Sequence, residues 1–222
     1  MVVKQMNLEQ VLARTHAQQK LRLLFDCYAQ AADETGVLVK DQLPMRQLAS
    51  LMGDITLFEL TDDDQIIYRL AGQNILDRMG IPLQGRNMLD FVHPDNHAYM
   101  LYAHKMVLRR CCGYLMIFEA TYSSGNIRRI EALRLPMRAH EGAKLNGFLG
   151  FNIHREIVGI GDLDNTPEIL LTGENEFSSF FDLGRGVPSA HEESSEDMKA
   201  LYHRAVFGTP PQSGTAPGQI CT

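Results

Sequence analysis

The chain of 222 residues contains no tryptophan, has no excess of positive charge and carries only four cysteines. Its net charge of −6 argues against a general nucleic-acid-binding protein, because such proteins usually present a basic face. No two of the cysteines form a C-x-x-C pair, so the sequence predicts a reduced protein rather than a disulfide framework. The cysteines are Cys27, Cys111, Cys112 and Cys221.

Long apolar runs are also missing. No segment approaches the roughly 18 apolar residues that a membrane-spanning helix needs. An early lysine, Lys4, is not followed by the apolar stretch that is typical of a secretory signal. We therefore expect a cytoplasmic protein with no membrane span.

The sequence lacks the short motifs of common enzyme classes. It contains neither a G-x-S-x-G elbow nor a phosphate-binding Walker loop. The acids Asp90 and Asp95 have no partner base at a defined spacing. We predict a non-enzymatic protein without catalytic residues. The alternative is a small α+β enzyme, such as one with a ketosteroid-isomerase-like fold, which would require a buried acid in a cavity.

Residues 1–40 predict one long helix that begins near Asn7 and ends before Gly36, about 25 residues in all. Its apolar positions recur at helical spacing, with a polar gap at Gln18 and Gln19. This stripe has two interpretations, packing on the domain's own sheet or a helix–helix interface in a homodimer. The residues of the expected dimer interface are Leu8, Val11, Leu21, Leu24, Phe25 and Tyr28.

Five segments rich in β-branched, aromatic and aliphatic residues predict strands. Two of them precede a group of short helices, and three follow it. Short links between the last three favour an antiparallel meander, because a parallel return needs a long crossover. The predicted strands are Ile55–Leu60, Ile66–Ala71, Gly113–Tyr122, Ile127–Arg138 and Gly147–Ile153.

The stretch Gly85–His97, GRNMLDFVHPDNH, lies between the two groups of strands. A glycine opens it, a short apolar segment follows, and Pro94 then disfavours helix at His93. Proline is also well suited to the first turn of a new helix. This pattern predicts a sharp corner followed by a helix from about Asp95 to Arg110.

Three stretches resemble PAS sensor domains over about Leu51–His154. "IIYRLAGQNILDRMG" resembles the second strand and first helix of that family, and "GRNMLDFVHPDN" resembles its mid-domain signature. "YSSGNIRRIEALRLPM" resembles the glycine turn and fourth strand. The details look closest to the divergent single-PAS proteins common in alphaproteobacteria. The resemblance implies an α+β fold, with a five-stranded antiparallel sheet and short helices that enclose a ligand pocket on one face.

The resemblance also implies a role in signal transduction. We expect a sensory module at residues 41–156, after the N-terminal helix at 1–40 and before a flexible extension at 157–222. No kinase, cyclase, helix-turn-helix or phosphodiesterase segment is recognisable, so the module would act on a separate partner. It would bind a small metabolite or a signalling protein. In the extension, Phe177–Leu183 is either a docking peptide for a partner or a strap packed on the domain.

Alternation along the strands suggests pocket residues, although it leaves open which set faces inward. A polar ligand would contact Arg134 or Glu131, which are charges amid apolar strands where unpaired burial is costly. The candidate pocket residues are Tyr68, Leu70, Phe91, Tyr99, Tyr102, Leu115, Ile117, Glu119 and Arg134.

Histidines on the predicted helix are the candidate metal ligands. His97 and His104 lie two helical turns apart and can share a face, but a structural zinc site needs four ligands. We therefore predict no metal and no cofactor. The alternative is a haem or metal sensor that uses His97 or His104, by resemblance to PAS sensors with haem on this helix.

Overall fold

The computed structural model describes residues 6–122, 124–160 and 175–188. Strands in these ranges form one mixed sheet with helices on both faces. The helices are α1 (Leu8–Arg14), α2 (Gln18–Gln30), α3 (Met45–Leu48), α4 (Gln73–Met79) and α5 (His97–Arg110). The strands are β1 (Leu38–Val39), β2 (Ile55–Leu60), β3 (Ile66–Ala71), β4 (Gly113–Thr121), β5 (Asn126–Arg138), β6 (Leu145–Ile160) and β7 (Asn175–Phe181).

The main sheet has the order β3-β2-β6-β5-β4-β7, and all neighbouring strands in it are antiparallel. The five predicted strands are confirmed and occupy the first five places. Two strands were not predicted. β1 has only two residues and pairs in parallel with the end of β5. β7 comes from the predicted extension and pairs with β4 at the sheet edge.

The N-terminal region forms two helices, so the prediction of one long helix is wrong. The break lies at Thr15–Ala17, between α1 and α2. There the backbone N–H of His16 donates to a carboxylate oxygen of Glu131 on β5, at 3.0 Å. An interior helical N–H would instead bond a carbonyl four residues earlier. This side-chain acceptor on the sheet stabilises the break in the helix.

Each face of the sheet carries its own apolar core. We call the face beneath α4 and α5 the inner face, and the face beneath α1, α2 and α3 the outer face. The inner core includes Phe58, Tyr68, Phe91, Met106, Tyr114, Met116, Ala132 and Phe148. The outer core includes Val11, Leu21, Leu24, Leu115, Leu133, Leu135, Leu149 and Phe151. Alternation along β4 and β5 therefore sends successive side chains to different cores.

The corner predicted at Gly85–His97 is present. Gly85 has φ +83°, a left-handed conformation that glycine adopts without strain. Short 3-10 helices follow at Met88–Phe91 and Pro94–Asn96, and α5 begins at His97. The Asn87 side chain accepts N–H bonds from Leu89 and, at 3.1 Å, from Ile66 on β3. The corner is thereby fixed to the sheet and sets the position of α5.

The Phe177–Leu183 segment lies on the domain as a strap. Phe180 packs on the inner side, with its ring centroid 4.9 Å from that of Tyr114. Phe181 packs on the outer side, edge-on to Phe25 at 6.0 Å. A side chain at Gly113 would lie 2.0 Å from the Phe181 ring, so this glycine makes room for the strap. Residues 157–160 of the predicted flexible extension continue β6, so this part of the prediction is wrong. Residues 161–174 and 189–222 of the extension lie outside the described residues.

Candidate ligand site on the inner face of the sheet

A row of paired residues crosses four strands of the sheet at the centre of the inner face. Thr56 pairs with Gly150, Gly150 with Arg134, and Arg134 with Tyr114. A Cβ atom at Gly150 would lie 2.2 Å from Thr56 Oγ1 and 3.0 Å from Arg134 Nη1. The missing side chain of Gly150 therefore provides the space that the arginine occupies.

Arg134 is buried, with 5% of its surface exposed. Its Nη1 donates to the Leu133 carbonyl at 2.9 Å and to Asn152 Oδ1 at 3.3 Å. The guanidinium carbon lies 4.8 Å from the centroid of the Phe58 ring, which is cation–π distance. Burial lowers the pKa of Arg134 to about 10, and Tyr68 and Tyr114 oppose this shift. The side chain therefore remains a cation at neutral pH.

One edge of this guanidinium is unpaired. Nε is buried and has no hydrogen-bond partner among the described residues. Neither of the hydrogen bonds that Arg134 makes within this part of the chain uses Nη2. No described acid lies within ion-pair distance of it. By contrast, the half-buried Arg138 has the Asp33 carboxylate 3.1 Å from its Nε. Arg134 is thus a buried cation whose Nε–Nη2 edge lacks an acceptor.

His104 on α5 is fully buried, and it presents a second unpaired atom. Its Nδ1 lies 2.7 Å from the Met100 carbonyl, and because a carbonyl only accepts, Nδ1 carries the proton. Nε2 is then an acceptor, and no described residue donates to it. Burial, with the Arg134 charge as a smaller cause, lowers the pKa of His104 to about 3. The imidazole is therefore neutral.

Aromatic side chains surround these two groups. The Phe58 ring contacts Tyr68, with centroids 4.6 Å apart, and the His104 ring packs edge-on to Phe148 at 5.1 Å. Burial raises the pKa of Tyr68 to about 12, while Arg134 acts in the opposite direction. The tyrosine stays neutral, so it contributes a hydroxyl but no anion to balance the arginine.

The buried acids of the described residues lie elsewhere. The side chain of Glu131 is on the outer face, where its carboxylate contacts His16 Nδ1 at 3.0 Å and Arg155 Nε at 3.5 Å. Asp54 contacts Lys20 Nζ at 3.3 Å and Asn74 Nδ2 at 3.0 Å. Glu131, a candidate ligand contact from the sequence, therefore points away from the arginine. Among the described residues, the inner site carries positive charge without a compensating carboxylate.

The structure brings five of the predicted pocket residues to the inner side. Tyr68 and Phe91 belong to the inner core, and Tyr102 packs against it. Tyr99 on α5 is buried, and its hydroxyl accepts from the Tyr114 hydroxyl at 2.9 Å. Arg134 lies at the centre.

Three predicted pocket residues on β4 belong to the other face, which corrects the choice made between the two alternating sets. Leu115 is part of the outer core. The pairing of β4 with β5 is regular from Tyr114 to Thr121, so Ile117 and Glu119 share the side of Leu115. Tyr114 and Met116 face inward. Strand alternation alone did not identify the face, because helices cover both sides.

Leu70 is also displaced from the inner face, and a β-bulge is the reason. Leu57 pairs with Leu70 but Phe58 pairs with Tyr68, so β3 has one extra residue, Arg69. Such an insertion changes the side to which following residues point. Leu70 lies with Leu57 at an apolar cavity of about 200 Å³ on the outer side. The prediction that Leu70 shares a face with Tyr68 is wrong.

The stripe proposed as a dimer interface packs on this chain's own sheet. The buried residues of the stripe are Val11, Leu21, Leu24, Phe25 and Tyr28, and Leu8 packs beside them. The Tyr28 hydroxyl donates to the Pro136 carbonyl on β5, at 3.3 Å. This packing agrees with the first of the two interpretations, in which the stripe packs on the domain's own sheet. Dimerisation stays a prediction, and it would need a surface other than this one.

The two histidines suggested for metal have different surroundings. His97 Nε2 donates to the Val92 carbonyl at 2.7 Å, whereas His104 Nε2 has no hydrogen-bond partner among the described residues. Within the described ranges, no three His, Cys, Asp or Glu side chains form a group that could hold a metal ion. Within the same ranges, no helix combines the length and apolarity needed to cross a bilayer.

The sequence analysis gives Arg134 as a candidate pocket residue and His104 only as a candidate haem or metal ligand, and it does not give the other residues around them. Phe58, Phe148 and Asn152 were not candidates, because nothing local distinguishes them from other strand residues. Gly150 has a local signal, since glycine inside a strand often marks close approach of another group. That signal becomes specific only when the register places Gly150 beside Arg134.

The chain is similar to several solved structures, among them the following two. A solved PAS domain from Colwellia psychrerythraea is 14% identical and aligns over 50% of this chain and 96% of its own, with a TM-score of 0.38. The VqmA dimer of Vibrio cholerae, described in the absence of its target DNA, is 15% identical. That match covers 51% of this chain and 52% of the VqmA chain, with a TM-score of 0.38.

No curated protein sequence matches the chain significantly. A family model described as "PAS domain" matches residues 15–151, which is more than half of the sequence. The match includes α2 to α5, β1 to β5 and the first part of β6, up to residue 151. It also contains both Arg134 and His104. The chain therefore belongs to the PAS domain family.

Proposed function

We propose that this protein is a sensory PAS module that binds a small molecule between α5 and the inner face of the sheet. The observation that carries the proposal is the pair of unpaired buried groups there, Arg134 Nε and His104 Nε2. One belongs to the sheet and the other to the helix. A ligand that contacts both would couple the position of α5 to β5.

The energetic argument concerns the cost of leaving these groups without partners. A buried donor or acceptor that lacks a hydrogen bond costs about 1–3 kcal/mol, and a charged one costs more. Native proteins rarely keep such groups without a reason. A ligand that supplies the missing partners would offset this cost, and the protein would then be more stable with ligand than without it.

The chemistry at the site favours binding over catalysis. His104 is a poor base because its pKa is lowered to about 3. Arg134 and Tyr68 remain in one protonation state near neutral pH, since their pKa values lie at about 10 and about 12. General acid–base catalysis instead requires a group that titrates near the working pH. We accordingly propose a non-enzymatic module in the cytoplasm that acts through a protein partner.

Mass spectrometry of protein purified from its own host tests the small-molecule proposal. Under non-denaturing conditions we expect a mass adduct that disappears on denaturation and is recovered as a free molecule. The Arg134→Met variant, which keeps an apolar side chain in place of the cation, is expected to lack it. An Arg69→Met variant is the matched control, because Arg69 is exposed on β3 and pairs with Glu59. Absence of any adduct from the unaltered protein would count against the proposal.

A haem sensor is a second candidate, and the free Nε2 of His104 favours it. The histidine donates Nδ1–H to a carbonyl, which is the second contact that metal-bound histidines usually make. Haem would supply a visible absorption band, and addition of haem to the purified protein tests for it. We expect no band shift. A shift that is lost in His104→Phe but kept in His97→Phe would favour haem.

A further inference from the structure

The unpaired edge of Arg134 has the geometry of a carboxylate receptor. In a guanidinium, the Nε–H and one Nη2–H point in parallel and can donate to both oxygens of one carboxylate. The opposite nitrogen, Nη1, is already held by Leu133 and Asn152. These bonds fix the orientation of the group, so the free edge is preorganised. Two parallel donors fit a planar carboxylate better than a single acceptor atom.

His104 adds a different requirement. Its neutral Nε2 can only accept a hydrogen bond, because the proton is on Nδ1. A simple carboxylate has no proton to donate and would leave this atom unpaired. A ligand that satisfies both groups therefore combines a carboxylate with an O–H or N–H donor.

Resting on the function proposed above, we propose that the ligand is a small hydroxy- or amino-carboxylic acid. Its carboxylate binds the Nε–Nη2 edge of Arg134, and its hydroxyl or amino group donates to His104 Nε2. The Phe58 ring lies against the Arg134 guanidinium and the Phe148 ring against the His104 ring, so the carbon chain of such a ligand would contact aromatic rings.

Other ligand classes fit these groups less well. A metal cation, or an organic cation that brings no carboxylate of its own, would be repelled by the buried guanidinium, for which no described acid compensates. An apolar molecule would fill space but leave both polar atoms unpaired. A neutral polar molecule could donate to His104, yet it would supply only weak acceptors to a cation. The positive charge of Arg134 and the acceptor atom of His104 together favour a carboxylic acid that also carries an O–H or N–H donor.

Calorimetric titration with matched probes tests this inference. The probes are lactate, glycerate, serine and 3-hydroxybutyrate, each compared with its amide, which lacks the negative charge of the carboxylate. Lactate and 3-hydroxybutyrate are also compared with the acid lacking the hydroxyl. At least one hydroxy- or amino-acid is expected to bind. Its amide should bind on the order of 100-fold more weakly, because it loses the charge-assisted pair. Its deoxy analogue should bind roughly 10-fold more weakly, because His104 stays unpaired.

Two variants separate the roles of the two groups. Arg134→Met should abolish binding of every acid, and circular dichroism should show that the variant remains folded. His104→Phe preserves an aromatic ring against Phe148, and it should bind the hydroxy acid and its deoxy analogue with equal affinity. Arg69→Met and His140→Phe, both at exposed positions, should behave as the unaltered protein. Retention of the hydroxyl preference in His104→Phe would overturn the assigned contact.

The outcomes distinguish this inference from the proposed function. If the host-purified protein carries a neutral or apolar molecule, or if amides bind as well as acids, the acid ligand is wrong while small-molecule binding stands. If neither the host-purified protein nor any probe shows binding, both proposals fail. Binding of acids that is unaffected by Arg134→Met overturns the site itself.

Discussion

The Glu131 carboxylate makes two contacts with His16, one to its backbone N–H and one to ring Nδ1, each at 3.0 Å. Glu131 is 1% exposed, and it lies on the outer face of β5. His16 is in the break between α1 and α2. This pair therefore anchors the N-terminal helices to the same strand that carries Arg134 on its inner face.

Removal of the Glu131 carboxylate is expected to loosen that anchor. Glu131→Ala leaves the His16 N–H without its acceptor and leaves Arg155 only the exposed Glu156 carboxylate, at 3.8 Å. We expect a loss of about 3 kcal/mol in the free energy of unfolding. Urea denaturation measures it. The neighbouring Glu156 is exposed, so Glu156→Ala should change stability by less than about 0.5 kcal/mol. Equal effects of the two substitutions would show that the contact with His16 contributes little.

Gly150 provides a test of the space around Arg134. A methyl group there would lie 2.2 Å from Thr56 Oγ1, so Gly150→Ala should destabilise the protein by roughly 1–3 kcal/mol. On the same strand, a Cβ at Gly159 would make only an ordinary 3.4 Å contact with Ile127. Gly159→Ala should be nearly neutral in thermal denaturation. Similar melting temperatures for the two variants would mean that Thr56 and Arg134 leave enough space for a methyl group at Gly150.

The outer-face helices are expected to stabilise the single chain. Leu21 is fully buried against the sheet, so Leu21→Ala should cost about 3 kcal/mol. Its mass in solution, measured by light scattering, should equal that of the unaltered protein. The result would be contradicted if the unaltered protein is a dimer and Leu21→Ala is a monomer with an unchanged free energy of unfolding. The stripe would then be an interface between copies.

The free energy of unfolding should decrease as the pH is lowered, because of His104. Its pKa is about 3 in the folded chain, against an ordinary value of 6.5, so the unfolded chain binds more protons between these values. The stabilisation is complete above about pH 6.5, and roughly 2 kcal/mol of it is lost by pH 5. His154, whose pKa is also lowered to about 3, adds a similar loss. His104→Phe should flatten the decline, whereas His140→Phe should leave it unchanged. Identical pH profiles for all three proteins would contradict a buried neutral His104.

The order of strands and helices could be predicted from the sequence, but the face of the sheet on which each side chain lies could not. The five strands and the corner at Pro94 follow from local patterns, because turns and strand composition are local. The inner and outer faces of β4 could not be separated, since both Leu115 and Tyr114 are buried. The displacement of Leu70 depends on a bulge whose register is set by pairing with β2. The break at His16 depends on Glu131, a residue 115 positions away.

The inner site illustrates the same limit. The charge of Arg134 amid apolar residues makes it a candidate ligand contact from the sequence alone, because an unpaired buried charge is costly. His104 was a candidate only as a haem or metal ligand. The pairing of Gly150 with Arg134 depends on the sheet register, and the contact of His104 with Phe148 depends on how α5 packs on the sheet, so neither follows from local sequence.

The most direct test of the ligand site is the Nε–H resonance of Arg134 in protein labelled with ¹⁵N-arginine. The Arg134→Met variant assigns the signal by its disappearance. With the ligand removed by denaturation and refolding, we predict an Nε–H signal typical of an unbonded donor, which shifts downfield when a hydroxy- or amino-acid from the probe set, or the extract of the host, is added. An Arg134 signal that never responds, or that is already shifted in the emptied protein, would contradict the account.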